Sequence, residues 1–346
     1  MRRRTALALM AATVAVRPAS ASSGRRVPAE DAPHARTFMQ WPVNRRVHPD
    51  TRFLAHLQDT IARIAGTIAE FEPVVMLMDR RFEDVAALPR AVDVWNIPTD
   101  DLWARDSGPL FAKGLDGLSV VSLNFDGWGG KQVHGHDRPV AARVAQRMGL
   151  PLVDSGLSGE AGGVEQDGAG LLLAHESSWV EAGRNPGLTR AVIEKRLLQA
   201  YGADRMIWAP GIQGEDITDD HIDPTARFVE PGHVLIQLPS QRDRDRWARS
   251  QWRTHDILRD AGLRLTILPE PERLRVRSDD FLASYANFYV CNGAFIAPSY
   301  GDTVRDAEAA EILAEVFPGR DIVQIDADAL GEVGGGIHCA TQQQPV

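Results

Sequence analysis

Cysteine is scarce in this chain of 346 residues, which holds only Cys291 and Cys339. Two cysteines cannot supply the dense bridging of a small secreted scaffold, and neither sits in a C-x-x-C pair of the kind that binds zinc. Disulfides therefore do not hold the fold together. Apolar runs of membrane-spanning length, about 20 residues, are also missing: the uncharged stretch at residues 6–16 has eleven. Basic residues are outnumbered, 38 Lys and Arg against 47 Asp and Glu, for a net charge of −9. A generic nucleic-acid binder needs the opposite field, so that class is excluded.

What is present is an ordinary globular composition, 44% hydrophobic and 25% charged, with ample apolar mass for a core. The N-terminus has its own character. Arg2, Arg3 and Arg4 precede the uncharged stretch, and Ala19-Ser20-Ala21 follows with the small-x-small spacing of a signal-peptidase site. Residues 1–21 are expected to be an export signal to the periplasm or exterior, and the paired arginines with Arg17 resemble a loose twin-arginine signal. Cleavage after Ala21 would leave 34 basic against 47 acidic residues, a net charge of −13, which suits a cationic substrate. Residues 22–34 read as a flexible lead-in. Residues 35–346 contain no Pro/Ser-rich linker or charge run and read as one domain.

Within that domain one local pattern recurs five times. Phe53, Leu57, Ile61, Ile64, Ile68 and Phe71 place an apolar stripe on a helix, and after Pro73 the run 74–78 reads as a buried strand. Helical spacing followed by a strand returns at 140–153, 188–208, 247–268 and 307–325. Further strand-like runs lie at 92–97, 118–125, 171–174, 234–238 and 286–296, the last with an Asn292-Gly293 turn signal. Five such units predict a pseudo-symmetric array. The same alternation is that of a doubly wound α/β sheet, and periodicity alone leaves both open.

Four polar clusters sit at strand ends or glycine turns. Trp103-Ala104-Arg105-Asp106 precedes a Gly-Pro stop, and a carboxylate kept ionised by a neighbouring Arg suits a cation. Glu160 leads into Gly162-Gly163, where the backbone permits close approach. In Asp219-Asp220-His221-Ile222-Asp223, an extended segment would point His221 and Asp223 to one side and Ile222 into the core. Finally, Gly334-Gly335-Gly336 hinges the chain before His338 and Cys339, and His338 would face away from Cys339 if that segment were extended. Cys291, in a strand-like run, reads instead as a packed thiol.

The segments DLWARDSGP (101–109), NFDGWGGK (124–131), EAGGVEQDG (160–168), GRNP (183–186), DDHIDPTARF (219–228), SYANFYVCNGAFIAPSYGD (284–302) and GGGIHCATQQQP (334–345) occur in order. With them the chain from Thr37 onward resembles the agmatine deiminase and bacterial (Porphyromonas-type) peptidylarginine deiminase group of guanidine-modifying enzymes. The resemblance implies a five-bladed pseudo-symmetric α/β propeller, the pentein fold, and thiolate chemistry with neither metal nor organic cofactor. Carried over by position, Cys339 matches the nucleophile, His221 the general acid and base, Asp106 and Asp223 the carboxylates that grip a guanidinium, and Glu160 a supporting acid. Trp103, Trp128 and Arg105 are expected to complete the substrate site.

The implied substrate is a small guanidino cation, agmatine first, with peptidyl or free arginine as the alternative and a non-catalytic cation binder as a more distant one. A cysteine peptidase or amidase would leave the several acids unexplained. No nucleic-acid partner or membrane span is expected, and a homo-oligomer is compatible with the sequence. Two positions depart from the family pattern: Ala161 replaces a usual Gly, and Asp220 replaces the Gly that usually precedes the His. An export signal is unusual for cytosolic polyamine synthesis and favours an extracellular substrate.

Overall fold

The computed structural model describes residues 16–18, 24–84, 86–276, 278 and 281–346. Most of the expected export signal lies outside these residues. Its described part, β1 (Val16–Pro18), runs parallel to a later strand, with Val16 opposite Leu152.

The remaining strands form five repeats of one unit, an antiparallel pair followed by a helical crossover to a parallel strand. In the first unit β2 (His34–Gln40) crosses through α1 (Thr51–Ile68) to β3 (Val74–Met78), and β4 (Val92–Asn96) adds a parallel edge. The second unit comprises β5 (Leu110–Gly114), β6 (Gly117–Ser122), α2 (Val140–Met148) and β7 (Leu152–Asp154). The third comprises β8 (Glu165–Gln166), β9 (Leu171–His175), α3 (Arg190–Tyr201) and β10 (Arg205–Ala209). The fourth comprises β11 (Ala226–Glu230), β12 (His233–Leu238), α4 (Arg246–Asp260) and β13 (Arg264–Pro269). The fifth comprises β14 (Tyr289–Cys291), β15 (Ala294–Ser299), α5 (Thr303–Val316) and β16 (Asp321–Asp326). The C-terminal strand β17 (Thr341–Pro345) then pairs antiparallel with β2, Thr341 opposite Met39. It supplies the inner strand that the first unit lacks, and so closes the ring.

Local chemistry explains the units. Asp50 caps α1 by accepting from the Arg52 and Phe53 N–H groups, and Leu57, Ile61, Ile64 and Ile68 are buried against β3 and the neighbouring fifth sheet. Thr189, Asp245 and Asp302 cap α3, α4 and α5 in the same way. All five helix-and-strand pairs expected from periodicity are present. Asn292-Gly293 makes the tight β14–β15 turn, with Gly293 at φ +85°.

The segment expected to be a flexible lead-in is instead packed across the molecule from Arg26 onward. Arg26 exchanges backbone hydrogen bonds with Lys113, Val27 is buried and donates its N–H to the Tyr201 carbonyl, and Glu30 reaches between the blades. Among the described residues, no helix is long and apolar enough to cross a membrane.

Candidate active site

Every blade delivers at least one polar group to a common place. Asp106 lies just before β5, Glu160 and Gly162 before β8, His221 and Asp223 before β11, Asn287 before β14 and Cys339 before β17. Each therefore sits on the segment entering the inner strand of its unit, and the pseudo-symmetry converges residues from distant parts of the chain.

The approaches are shaped by strain and by glycine. Asn124, Trp128, Asp219 and Asp220 are the non-glycine residues with positive φ among those described, at +56°, +58°, +60° and +66°. Such left-handed conformations are unfavourable for side chains and gather at functional sites. At Asp220 this explains why glycine suits the position. A Cβ on Gly162 would lie 2.8 Å from both Asp106 Oδ1 and His221 Nδ1 and 3.4 Å from Asp223 Oδ2. This glycine is thus the floor on which the three polar groups meet.

Around that floor the groups hold one another. Trp128 Nε1 donates to Asp106 Oδ2 at 3.1 Å, and His338 Nδ1 lies 2.7 Å from Asp223 Oδ2. The remaining oxygens, Asp106 Oδ1 and Asp223 Oδ1, are buried without a hydrogen-bond partner. Glu160 receives the Arg184 guanidinium at 3.0 Å and lies 3.2 Å from His221 Nε2. Arg184 continues to Asp219 Oδ2 at 2.7 Å and to the Thr218 carbonyl, so it ties the His221 loop to Glu160. The Cys339 sulfur lies 3.2 Å from Asn287 Nδ2 and 3.4 Å from Asp223 Oδ2.

Charge and burial set the titration of these groups. Burial, reinforced by Glu160 and Asp223, pushes Asp106 up to about 7 against the pull of His221. Burial disfavours the charged His221 ring, but the Asp106 and Glu160 carboxylates outweigh it and raise the ring to about 9. Burial opposes ionisation of Asp223, yet the His338 hydrogen bond and charge keep it below the usual carboxylate range. Burial and the carboxylates of Asp223 and Asp106 together hold the Cys339 thiol well above its ordinary value. These shifts favour a protonated thiol and an imidazolium, each within 4 Å of a carboxylate, in a pocket that suits a cation with several N–H donors.

The structure brings Cys339, His221, Asp106, Asp223 and Glu160 together, and Trp128 joins them through Asp106. Trp103 packs its ring over Gly335, where a Cβ would lie 2.3 Å from the indole. Arg105 does not join them. It is expected in the substrate site, but its guanidinium turns to Gln343 Oε1 at 2.9 Å, the His338 carbonyl and the Glu30 carboxylate, because neighbours on a short helix diverge.

The His338 expectation also needs correction. Residues 337–340 form a turn in which the Thr341 N–H returns to the His338 carbonyl, so His338 and Cys339 both reach Asp223 Oδ2. Asp220 faces away from the His221 ring, its Oδ1 3.2 Å from His175 Nδ1. Ala161 is accommodated in the apolar cluster of Leu110, Val164 and Trp179. Sequence reasoning missed Asn287, Arg184 and the part played by His338. All three lie inside matched segments, but an amide or guanidinium has no local signature that separates bracing from solvation.

Compared with known proteins, residues 26–345 match the Porphyromonas-type peptidyl-arginine deiminase family, and the chain belongs to that family. A Streptomyces coelicolor protein provisionally assigned as an agmatine deiminase is 37% identical over 338 residues, covering 92% of this chain and 98% of that one. A solved Porphyromonas gingivalis protein, provisionally assigned as an arginine deiminase, superposes with a TM-score of 0.82 at 30% identity over 93% of this chain and 98% of that one. A C. jejuni agmatine deiminase solved with substrate bound superposes with a TM-score of 0.84 at 24% identity, covering 92% and 96% of the two chains. The propeller is thus the pentein fold.

Proposed function

We propose that this protein hydrolyses the guanidinium group of agmatine to N-carbamoylputrescine and ammonia. The observation that carries the reading is the pair of buried oxygens without a hydrogen bond, Asp106 Oδ1 and Asp223 Oδ1, one near the His221 imidazole and the other on the carboxylate beside the thiol. Leaving buried acceptors empty is costly unless a ligand fills them. A guanidinium offers planar N–H forks that two carboxylates hold as charge-assisted pairs. Held in this way, its central carbon can be presented to the Cys339 sulfur, and orientation of this kind supplies much of the rate.

The chemistry follows from the groups at hand. The docked cation offsets the negative field of Asp106 and Asp223, so the thiol proton is released to water and the sulfur becomes nucleophilic. Sulfur adds to the guanidinium carbon while the His221 imidazolium protonates the departing nitrogen, and ammonia leaves an S-alkylthiouronium. His221, now neutral and held by Glu160, takes a proton from water. The resulting hydroxide adds to the same carbon; as the C–S bond breaks and the carbonyl forms, the remaining hydroxyl proton passes to solvent, and the neutral ureido product departs as the thiolate is restored.

Turnover of agmatine, free arginine and an arginyl peptide, read as ammonia and ureido product, tests the reading. Agmatine is expected to give the highest kcat/KM. Preference for the arginyl peptide would assign the protein to peptidyl citrullination instead, and no product from any of the three would leave a cation binder.

A further inference from the structure

His338 lies between two carboxylates. Its Nδ1 is 2.7 Å from Asp223 Oδ2 and its Nε2 is 2.9 Å from Glu30 Oε2. A neutral imidazole has one N–H, so two ionised acceptors are both satisfied only when both ring nitrogens donate. Glu30 belongs to the segment before β2 and comes to His338 from 308 positions away. It stands on the far side of His338 from the thiol, in a cavity of about 90 Å3 lined by Arg105, Glu165, Tyr201, Arg227 and Gln343.

The cluster in that cavity is already balanced. Arg227 pairs with Glu30 at 2.7 Å and with Glu165 at 2.8 Å. Glu30, Glu165 and His338 bring possible ligand atoms within 4.8 Å of one another, but a metal ion there would have to displace Arg227 from both carboxylates. The cavity instead reads as a braced polar support behind the reactive loop. Glu30 is its centre: it also meets Arg105 at 3.7 Å and accepts from the Val290 N–H.

We propose that Glu30 is a positioning residue for the deimination reaction, holding His338 doubly protonated so that Asp223 stays an ionised carboxylate with one oxygen free for the substrate cation. It rests on the reading of Asp223 as part of the guanidinium clamp. Glu30 touches neither substrate nor sulfur. It acts through one imidazole, and the charged groups facing that imidazole are Glu30, Asp223, Glu165, Arg227 and, through Glu30, Arg105. A carboxylate buried beside a thiol would otherwise favour its neutral form. The N-terminal segment, remote in sequence from every matched motif, thereby becomes part of the active site.

The test is Glu30→Gln, which keeps the side-chain shape and removes the charge. KM for agmatine is expected to rise about tenfold, the effect of losing one charge-assisted hydrogen bond, while kcat changes by less than about threefold. Glu165→Gln neutralises the other carboxylate on Arg227 but removes neither partner of the His338 ring nitrogens, and is expected to leave KM within about twofold of the parent. Nitrogen NMR of the histidine rings reads the coupling without turnover: both His338 nitrogens carry protons in the parent, and one loses its proton in Glu30→Gln. If Glu30→Gln does not fold, His338→Gln with Glu30 intact must show the same KM rise.

An unchanged KM with His338 still doubly protonated in Glu30→Gln overturns the proposal, as does an equal KM rise in Glu165→Gln. A parent protein that turns over no guanidino substrate, yet whose His338 loses a proton in Glu30→Gln, would instead sink the functional reading and keep the coupling.

Discussion

Cys339 and Asp223 stand 3.4 Å apart, sulfur to Oδ2, in a pocket with almost no solvent exposure. Burial, and after it the facing carboxylate anion, disfavour an anion on the sulfur and hold the free thiol well above its ordinary value. The same proximity favours reaction once a cation is inserted, because the cation attracts both. Substrate binding and nucleophile activation are then one event, and a neutral ligand of the same shape should fail at both.

The two cysteines should separate cleanly. Cys291 sits in β14, its thiol bonded to the Ala294 carbonyl and pushed up to about 12 by burial and Glu72. Cys339→Ser is expected to abolish ammonia release, while Cys291→Ser keeps most of it. Equal losses would show that the nucleophile has been misassigned.

The pH profile follows from the pair facing the substrate. The clamp needs Asp106 ionised, so kcat/KM should rise as pH passes about 7; proton donation needs His221 charged, so it should fall as pH passes about 9. In Asp106→Asn the acid limb should vanish. The alkaline limb should move down, because Asp106 is the leading charge that holds the His221 proton against burial. A profile in which Asp106→Asn leaves both limbs in place contradicts the pairing.

Linkage gives the matching stability signature. His221 is raised above its unfolded value of ~6.5, so its stabilising share is fully present below that pH and is lost as pH rises through about 9. Denaturant midpoints of the parent should therefore decline across that window more steeply than those of His221→Gln; parallel curves would count against the raised value.

Gly162→Ala tests the floor of the pocket. Its Cβ would approach two polar atoms at 2.8 Å, closer than contact allows. Overpacking of this kind costs about 1–3 kcal/mol, but displacing the clamp by ~1 Å should lower kcat/KM about 100-fold. Activity near that of the parent, measured on protein with an unchanged melting curve, would place the substrate elsewhere.

Gripping and chemistry can be told apart by calorimetry in the Cys339→Ser background. Asp106→Asn or Asp223→Asn should weaken agmatine binding by ~1.5–3 kcal/mol, the contribution of one charge-assisted bond. His221→Ala should change binding less and act mainly on turnover. Tight binding by either Asn variant would mean that those two acids are not the clamp.

How much of this was readable beforehand differs from element to element. The stripe of α1 and the run of β3 were legible because burying one face leaves a period in the residues. The inner strand β17 was not legible as a strand: Thr341, Gln342, Gln343 and Gln344 are polar yet buried, a burial that hydropathy cannot anticipate. Asp106, His221, Asp223 and Cys339 were legible as chemical types within matched segments. The direction of Arg105 was not, since a neighbour on a short helix points elsewhere.

By itself, the sequence determined the five helix-and-strand units, the turns between them and the presence of a thiol, an imidazole and several acids. These follow from local periodicity, capping and glycine placement, all of which act over a few residues. Only the closed ring decided that β17 completes the first blade, that Asn287 and Arg184 brace the pocket, and that Glu30 meets His338. Those contacts join residues 308 positions apart in the case of Glu30 and His338. Their energy exists only after every blade has packed, and no local pattern records it.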